Sequence, residues 1–206
     1  MWSWLAVSLS GIGAIAGAKH GHVTQTLIYK VFTFVLLATI ALSQPEITTY
    51  SYWIVGGLVV SALADILHTL SKRKPLHFIC FLVAQLCYSK AFWLQLSGQV
   101  VWWLFALLLA ACVVAFFLLL PRLDKLVFPV VIMGMMLLQL NWAAGEVWLL
   151  TGAWASLLGF LGTLTLTLSA GLLAVHDYRH SIRYGRYLIS GSYLLAHSLI
   201  TASLII

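Results

Sequence analysis

The sequence contains little charge. Of its 206 residues only 8% are charged and only five are acidic, whereas 63% are hydrophobic. A soluble domain carries about 25% charged residues, so this composition excludes a water-soluble globular fold and predicts that lipid surrounds the chain. Long polar segments are also absent, since the longest gap between apolar runs covers only residues 176–186. We therefore expect any chemistry to take place within the bundle or at its rim.

Cysteine and recognisable ligand motifs are also scarce. Cys80, Cys87 and Cys112 all lie within apolar runs, and an odd number of membrane-embedded thiols provides no disulfide framework. Cys80 and Cys87 share a helix face, for which packing is favoured over metal binding. The sequence has no motif for phosphate, dinucleotide or structural zinc. We predict neither a cofactor nor a metal site.

Long apolar runs dominate what is present. A transmembrane helix needs roughly 20 apolar residues, and eight such runs use nearly the whole chain. We predict an all-α, polytopic membrane protein with eight transmembrane helices in one bundle domain, residues 1–206. The predicted spans are residues 2–18, 28–43, 50–70, 75–96, 100–120, 126–150, 152–175 and 187–206.

Basic residues and tryptophans lie in opposite gaps between these runs. Positive charge is retained on the cytoplasmic side and Trp prefers the membrane interface, so we predict a plasma (inner) membrane protein with both termini on the outer face. Retention of positive charge on the cytoplasmic side also explains the net charge of +6, so we reject nucleic-acid binding. Contact of the basic gaps with anionic lipid head groups is expected as a secondary role. The basic gaps contain Lys19, Lys30, Lys72, Arg73, Lys74, Arg122, Lys125, Arg179, Arg183 and Arg186.

The second half of the chain weakly resembles the first. Residues 62–67 can be laid on 167–172, and residues 82–85 on 194–197. A four-span repeat keeps its orientation, so the halves would be related by an axis along the membrane normal. Asp65 and Ala170 would then face each other at similar depth. Because the similarity is short and apolar, chance explains it almost equally well.

Asp65 is the acidic residue that folding explains least. It lies inside predicted span three, and an Asp near the centre of a span costs about 2.5–3.5 kcal/mol on insertion scales. A hydrogen-bonded structural Asp is one interpretation, but intramembrane ionisable residues mark function by default, so we favour a catalytic or ion-binding carboxylate. Ser61 and His68 lie on the same helical face. A polar stripe therefore leads from Asp65 toward the cytoplasmic end.

The other ionisable residues need less explanation. Glu46 and Asp124 are predicted to be loop charges, and Asp177 a solvated residue at the end of span seven. Glu146 is expected to reach the outer interface, with structural and functional roles weighed equally. His197 lies deep in span eight, where packing is the commoner role of a histidine.

Four segments contain short motifs in a distinctive order and spacing, namely residues 61–65, 81–88, 143–148 and 169–206. Together they resemble the motifs of the YhhN-like lysoplasmalogenase family, whose members have eight spans. The resemblance runs through most of the chain, and the closing stretch is similar to the enterobacterial branch.

The resemblance implies hydrolysis of the vinyl ether bond of lysoplasmalogens to a fatty aldehyde and a glycerophospho-alcohol. Family members typically show Lys-Pro in span two, Gly-Asp in span three, His-x-x-Tyr in span four and Ser-Asp in span seven. Asp65, Tyr88 and Ser169 match this pattern, whereas the Lys, the His and the second Asp do not. The corresponding places read Thr33-Phe34, Ala64-Asp65, Gln85-Leu86-Cys87-Tyr88 and Ser169-Ala170.

The chemistry of a vinyl ether assigns roles to this set. Protonation of the outer carbon creates an oxocarbenium ion, which water captures, so one acid and one water-activating group are needed. Burial disfavours a charged carboxylate, so Asp65 is predicted to be the proton donor acting on a lysophospholipid-like substrate. The predicted site comprises Asp65, Ser169 and Tyr88 as catalytic residues, and Gln85, His68, His197 and Ser61 as substrate-binding residues.

A non-enzymatic membrane protein is the alternative. The chain would then be a lipid-binding or small-solute, proton-coupled transport relative that kept the scaffold after losing the second carboxylate. Asp65, His197 and Glu146 would outline a proton path in that case. Transport that depends on pH, without substrate cleavage, distinguishes this alternative from the hydrolase.

Overall fold

A computed structural model describes residues 2–44, 47–70, 74–96, 98, 100–119, 127–178 and 184–205. Within these ranges the chain is helical and contains no strand, which confirms the predicted all-α class. The basic residues 72, 73, 122, 125, 179 and 183, and the acids Glu46 and Asp124, lie outside the described residues. The helices are α1 (Trp2–His20), α2 (Val23–Leu42), α3 (Thr49–Leu70), α4 (Lys74–Trp93), α5 (Trp102–Leu119), α6 (Val127–Thr151), α7 (Trp154–Tyr178) and α8 (Gly185–Ala202).

Each predicted span coincides with one of these helices. By length and composition, five of them are apolar enough to cross a membrane, namely α2, α3, α4, α6 and α7, and α5 is a shorter apolar helix. The chain is therefore a membrane protein with several apolar helices. Eight crossings and outer termini remain predictions.

The start of α2 differs from the prediction. Gly21 adopts a positive φ of 75°, a conformation that favours glycine, and the chain resumes a helix at Val23 rather than at residue 28. The polar residues after Val23 enter the helix, and Thr26 donates its hydroxyl to the carbonyl of His22 at 2.9 Å. Lys30 therefore lies about two turns inside α2. Its assignment to a gap between spans was wrong.

Seven helices form a closed ring. Packing runs in order from α1 through α2 and α3 to α4, then from α4 to α6, α7 and α8, and α8 returns to α1. Helix α5 stays outside the ring, against α6 and α7. Helix α8 also contacts α2 and α3, so it leans toward the interior of the ring. This inclination brings side chains of α8 next to those of α3.

The contacts between helices resemble a repeat only in part. The packing of α4 on α6 has a counterpart in that of α8 on α2. However, α1 packs against α8, whereas α5 packs on α6 and α7. The predicted duplication therefore stays a prediction.

The two ends of the ring differ. At the basic end, which includes Lys19 and Arg186, α1, α3 and α7 finish and α2, α4, α6 and α8 begin; the tryptophans lie toward the opposite end, the Trp end. Large buried side chains fill the ring from its middle to the Trp end, so open space is left at the basic end. They include Phe34, Leu37, Ile54, Leu58, Tyr88, Phe92, Leu140, Leu166 and Ile200.

Glu146 does not reach the outer interface, as the sequence had suggested. It is 0% exposed. Its Oε1 accepts hydrogen bonds from the backbone N–H of Val101 and from Nε1 of Trp142, both at 2.8 Å. The carboxylate thereby ties the backbone immediately before α5 to α6. The structure supports a structural role.

Candidate functional site

A cavity of about 500 Å³ lies at the basic end of the ring. All seven ring helices contribute to its wall, and no described residue of α5 does. Three residues of the predicted site, Asp65, His68 and Ser169, line it, and so does Ala170. The structure thus places Asp65 and position 170 on the wall of the same cavity.

An ion pair lies on this wall. Nζ of Lys30 is 3.5 Å from Oδ1 of Asp65, and the two side chains are only 17% and 14% exposed. Nζ also lies 5.4 Å from the centroid of the Tyr193 ring, within the range of a cation–π contact. The second carboxylate oxygen, Oδ2, is buried without a hydrogen-bond partner among the described residues. Nζ of Lys30 is the donor of this contact and Oδ1 of Asp65 the acceptor.

Sequence reasoning missed Lys30 and Tyr193 as site residues. Lys30 directly precedes a largely apolar stretch, residues 31–42, so it resembles a basic residue at a span boundary. Tyr193 carried a weak signal, because it stands one helical turn before His197 and therefore shares its face.

Ser61, Tyr88 and His197 meet in a hydrogen-bonded chain. Nδ1 of His197 lies 2.7 Å from the carbonyl oxygen of Tyr193; a carbonyl only accepts, so Nδ1 carries the hydrogen. Nε2 of the neutral ring then accepts from the Ser61 hydroxyl at 3.2 Å, and Ser61 accepts from the Tyr88 hydroxyl at 3.4 Å. The hydrogen bonds thus run from Tyr88 on α4 through Ser61 on α3 to His197 on α8.

These three residues lie behind the cavity wall. Each is 1% exposed, and none of them lines the cavity. The ring of His197 packs 4.4 Å from that of Tyr193 and 5.6 Å from that of Tyr88, measured between centroids. Tyr193 itself lines the cavity. The three hydrogen-bonded residues therefore pack behind Tyr193 and hold this wall residue in place. They do not themselves face the cavity.

Gln85 and Ser169 also contact protein groups. Nε2 of Gln85 donates to Sδ of Met133 at 3.2 Å, and Met133 lines the cavity whereas Gln85 does not. The Ser169 hydroxyl donates to the carbonyl of Ile189 at 3.1 Å, which ties α7 to α8 at the cavity wall. Ser169 therefore lies on the cavity wall with its hydroxyl bound to Ile189, and Gln85 supports Met133 from behind the wall.

Two histidines stand at the rim of the cavity. The ring centroids of His68 and His77 are 4.6 Å apart, and Nδ1 of His77 donates to the carbonyl of Ala64 at 3.1 Å. This bond fastens the start of α4 to the end of α3. Sequence reasoning missed His77, which lies in the first turn of α4. Among the described residues, no group of three His, Cys, Asp or Glu side chains could hold a metal ion.

Adjacent glycines on α3 provide a test of this packing. A Cβ at Gly57 would overlap the Tyr88 ring, whereas a Cβ at Gly56 would meet nothing within 4 Å. We expect Gly57→Ala to lower the free energy of unfolding by about 1–3 kcal/mol, because overpacking forces the ring to move. The matched variant Gly56→Ala should be neutral or slightly stabilising, since Ala favours helix. Thermal unfolding in detergent measures both, and equal midpoints would contradict the tight Gly57–Tyr88 contact.

Comparison with known proteins places the chain among membrane proteins. The model of the YhhN family matches residues 25–204. The chain is 28% identical over 205 residues to the "Uncharacterized membrane protein YhhN" of Escherichia coli O6:H1, and equally similar to the protein of that name from Shigella flexneri. Each match covers 99% of this chain and 99% of the relative. No solved structure matches it.

Proposed function

This chain belongs to the YhhN family of membrane proteins, and on that premise we propose that it is an intramembrane hydrolase that cleaves the vinyl ether bond of lysoplasmalogens. The observation that carries the proposal is the Lys30–Asp65 ion pair on the wall of an amphipathic cavity. A proton donor and a carboxylate in contact are what this hydrolysis requires.

In the proposed reaction, the Lys30 ammonium group donates its proton to the outer carbon of the vinyl ether. The double bond becomes an oxocarbenium ion, whose positive charge the neighbouring Asp65 carboxylate offsets at 3.5 Å from Nζ. This assignment moves the proton donor from Asp65, where the sequence had suggested it, to its partner.

Water completes the reaction. It attacks the oxocarbenium carbon while Asp65 accepts one of its protons, and a hemiacetal forms. The hemiacetal hydroxyl then loses its proton and the glycerol oxygen gains one as the bond between that oxygen and the former vinyl carbon breaks, which leaves a fatty aldehyde and a glycerophospho-alcohol. The proton that Asp65 took from water returns to Lys30. One water is consumed, and the pair ends in its initial state.

The wall of the cavity suits an amphiphile. Leu27, Phe81, Leu173 and Ile189 provide an apolar surface beside the ion pair, and the cavity lies at the basic end. Since positive charge is retained in the cytoplasm, we place this end at the cytoplasmic face and the site within reach of the inner leaflet. A lipid substrate would arrive with its chain in the bilayer.

The side chains beyond the cavity favour turnover over transport. Phe34 and Tyr88 do not line the cavity and are buried in the middle of the ring. Along the predicted proton path, Glu146 binds Val101 and Trp142 at the Trp end, while His197 bonds to Tyr193 and Ser61. These hydrogen bonds do not join the two residues, which supports the hydrolase over proton-coupled transport.

The deciding experiment compares three lipids on purified protein in detergent. Aldehyde release should occur with a vinyl ether lysophospholipid, and neither with the saturated ether nor with the ordinary ester. Release from the ester instead would make the protein a lysophospholipase, and no product from any of the three would leave a lipid-binding or transport protein.

Restoring the family's second carboxylate provides another test. Ala170 lines the same cavity as Asp65, so Ala170→Asp should place a second proton acceptor near the substrate. We expect kcat to rise about tenfold, less than the usual 10²–10⁴-fold of general acid–base catalysis, because Asp65 already accepts a proton in the proposed reaction. The rate of aldehyde release measures this. Ala170→Asn, which has the same size but no acid–base function, is the matched control, and an equal gain with Asn would rule out a proton-transfer role.

A further inference from the structure

Basic and imidazole side chains lie at the rim of the cavity. Arg186, on the first turn of α8, and His176, on the last turn of α7, both line it, together with His68 and His77. Asp65 is the only acidic side chain among the described residues of the lining. The permanently charged guanidinium group of Arg186 makes this rim suited to an anion.

The one acidic side chain of the described lining is engaged away from Arg186. Asp65 is engaged by Lys30, and Nζ of Lys30 lies over the ring of Tyr193. Arg186 stands seven residues before Tyr193 on the same helix, which is about 10 Å along the axis at 1.5 Å per residue. Arg186 therefore lies nearer to the mouth of the cavity than the Lys30–Asp65 ion pair does.

The place of Arg186 on its helix is itself unfavourable for a cation. The N-terminus of a helix carries a partial positive charge, and the first turn of α8 has no acidic residue. A bound anion would compensate both the helix terminus and the guanidinium group. Arg binds phosphate through paired N–H donors, so a phosphate group fits the chemistry of this rim.

We propose that the rim formed by Arg186, His176 and His68 is a subsite for the phosphate group of a lysophospholipid. This inference rests on the proposed function and names the part of the substrate that is recognised. The phosphate and the ether oxygen stand at opposite ends of one glycerol unit. With the phosphate at the rim, the ether bond points toward the Lys30–Asp65 pair and the hydrocarbon chain toward the apolar wall.

The subsite implies a pattern of specificity. The alcohol esterified to the phosphate would project from the rim into water, away from the described lining. Ethanolamine and choline head groups should therefore be accepted alike, whereas an alkylglycerol without phosphate should bind poorly. Recognition depends on the anion and not on the head alcohol.

The test uses binding rather than turnover, so it is independent of hydrolysis. Saturated 1-O-alkylglycerol 3-phosphate and 1-O-alkylglycerol are titrated into the purified full chain in detergent, and Trp fluorescence or the unfolding midpoint reports binding. The phosphate analogue should bind about ten- to a hundredfold more tightly, the value of one or two charged hydrogen bonds. Arg186→Gln should remove most of that preference.

Lys19→Gln is the matched control. Lys19 is an exposed basic residue in the last turn of α1, at the same end, and does not line the cavity. This variant should keep the preference for the phosphate analogue. An equal loss in both variants would mean general attraction of anions to the basic end and would overturn the subsite, as would equal binding of the two analogues by the unmodified chain.

Inorganic phosphate distinguishes a lipid head group from free phosphate. It should compete only weakly, because the alkyl chain adds affinity along the apolar wall; competition as strong as that of the lipid would overturn the assignment to a lipid. A phosphate preference without aldehyde release would retain the subsite and refute the hydrolase. Aldehyde release without a phosphate preference would support the hydrolase and refute the phosphate subsite.

Discussion

Asp65→Asn is expected to abolish aldehyde release from lysoplasmalogen while the protein still inserts and folds. The amide keeps the shape of the side chain but neither accepts a proton from water nor offsets the charge of an oxocarbenium ion. General base catalysis contributes about 10²–10⁴-fold, so kcat should fall by at least about 100-fold. The measurement is aldehyde release by purified variant and unmodified protein at equal concentrations of folded material.

A second carboxyl-to-amide change controls for damage to the fold. Glu146→Gln removes a buried carboxylate at the Trp end, where it binds Val101 and Trp142. This variant should be less stable but should turn over substrate normally per folded molecule, because the cavity is at the other end of the ring. Unchanged turnover in Asp65→Asn would remove Asp65 from the mechanism. A loss in Glu146→Gln as large as that in Asp65→Asn would show that the assay reports stability.

Hydropathy was sufficient to predict that each apolar run forms a helix, because a helix satisfies the backbone hydrogen bonds of an apolar segment within that segment. It did not locate the start of α2, where Thr24, Gln25 and Thr26 are too polar to register as part of a span. A turn at Gly21 lets the helix begin immediately, so the boundary is set by local backbone conformation. Lys30 was missed for a different reason, because a lysine near the end of an apolar run was interpreted as a signal of membrane orientation.

Sequence patterns predicted the candidate site only where its residues lie on the same face of one helix. Asp65 and His68 share a face of α3, and both line the cavity. Ser61 lies on the same helix, yet it turns to His197 of α8, because α8 leans into the ring. No periodicity along a single helix encodes that inclination. The ring order, in which α4 packs on α6 and α5 lies outside, likewise depends on contacts between distant segments.

Lys30 and Asp65 should be coupled in stability and inseparable in catalysis. Lys30→Met leaves a carboxylate without its cation, and Asp65→Asn leaves an ammonium group without its anion. Each change should cost about 2 kcal/mol of unfolding free energy, below the roughly 3–5 kcal/mol of a fully buried pair because the cavity solvates this one. Removing both charges should cost less than the sum of the two single changes.

A double-mutant cycle measures this coupling from the unfolding of the two single variants and the double variant in detergent. Residues in contact couple by about 0.5–3 kcal/mol, and the 3.5 Å separation of Nζ and Oδ1 predicts a value within that range. Aldehyde release should be lost in all three variants, even where the double variant regains stability, because neither donor nor acceptor is then in place. Additive stabilities would mean that the ion pair is not formed in solution. Turnover by the stable double variant would show that the hydrolysis uses other groups of the cavity wall.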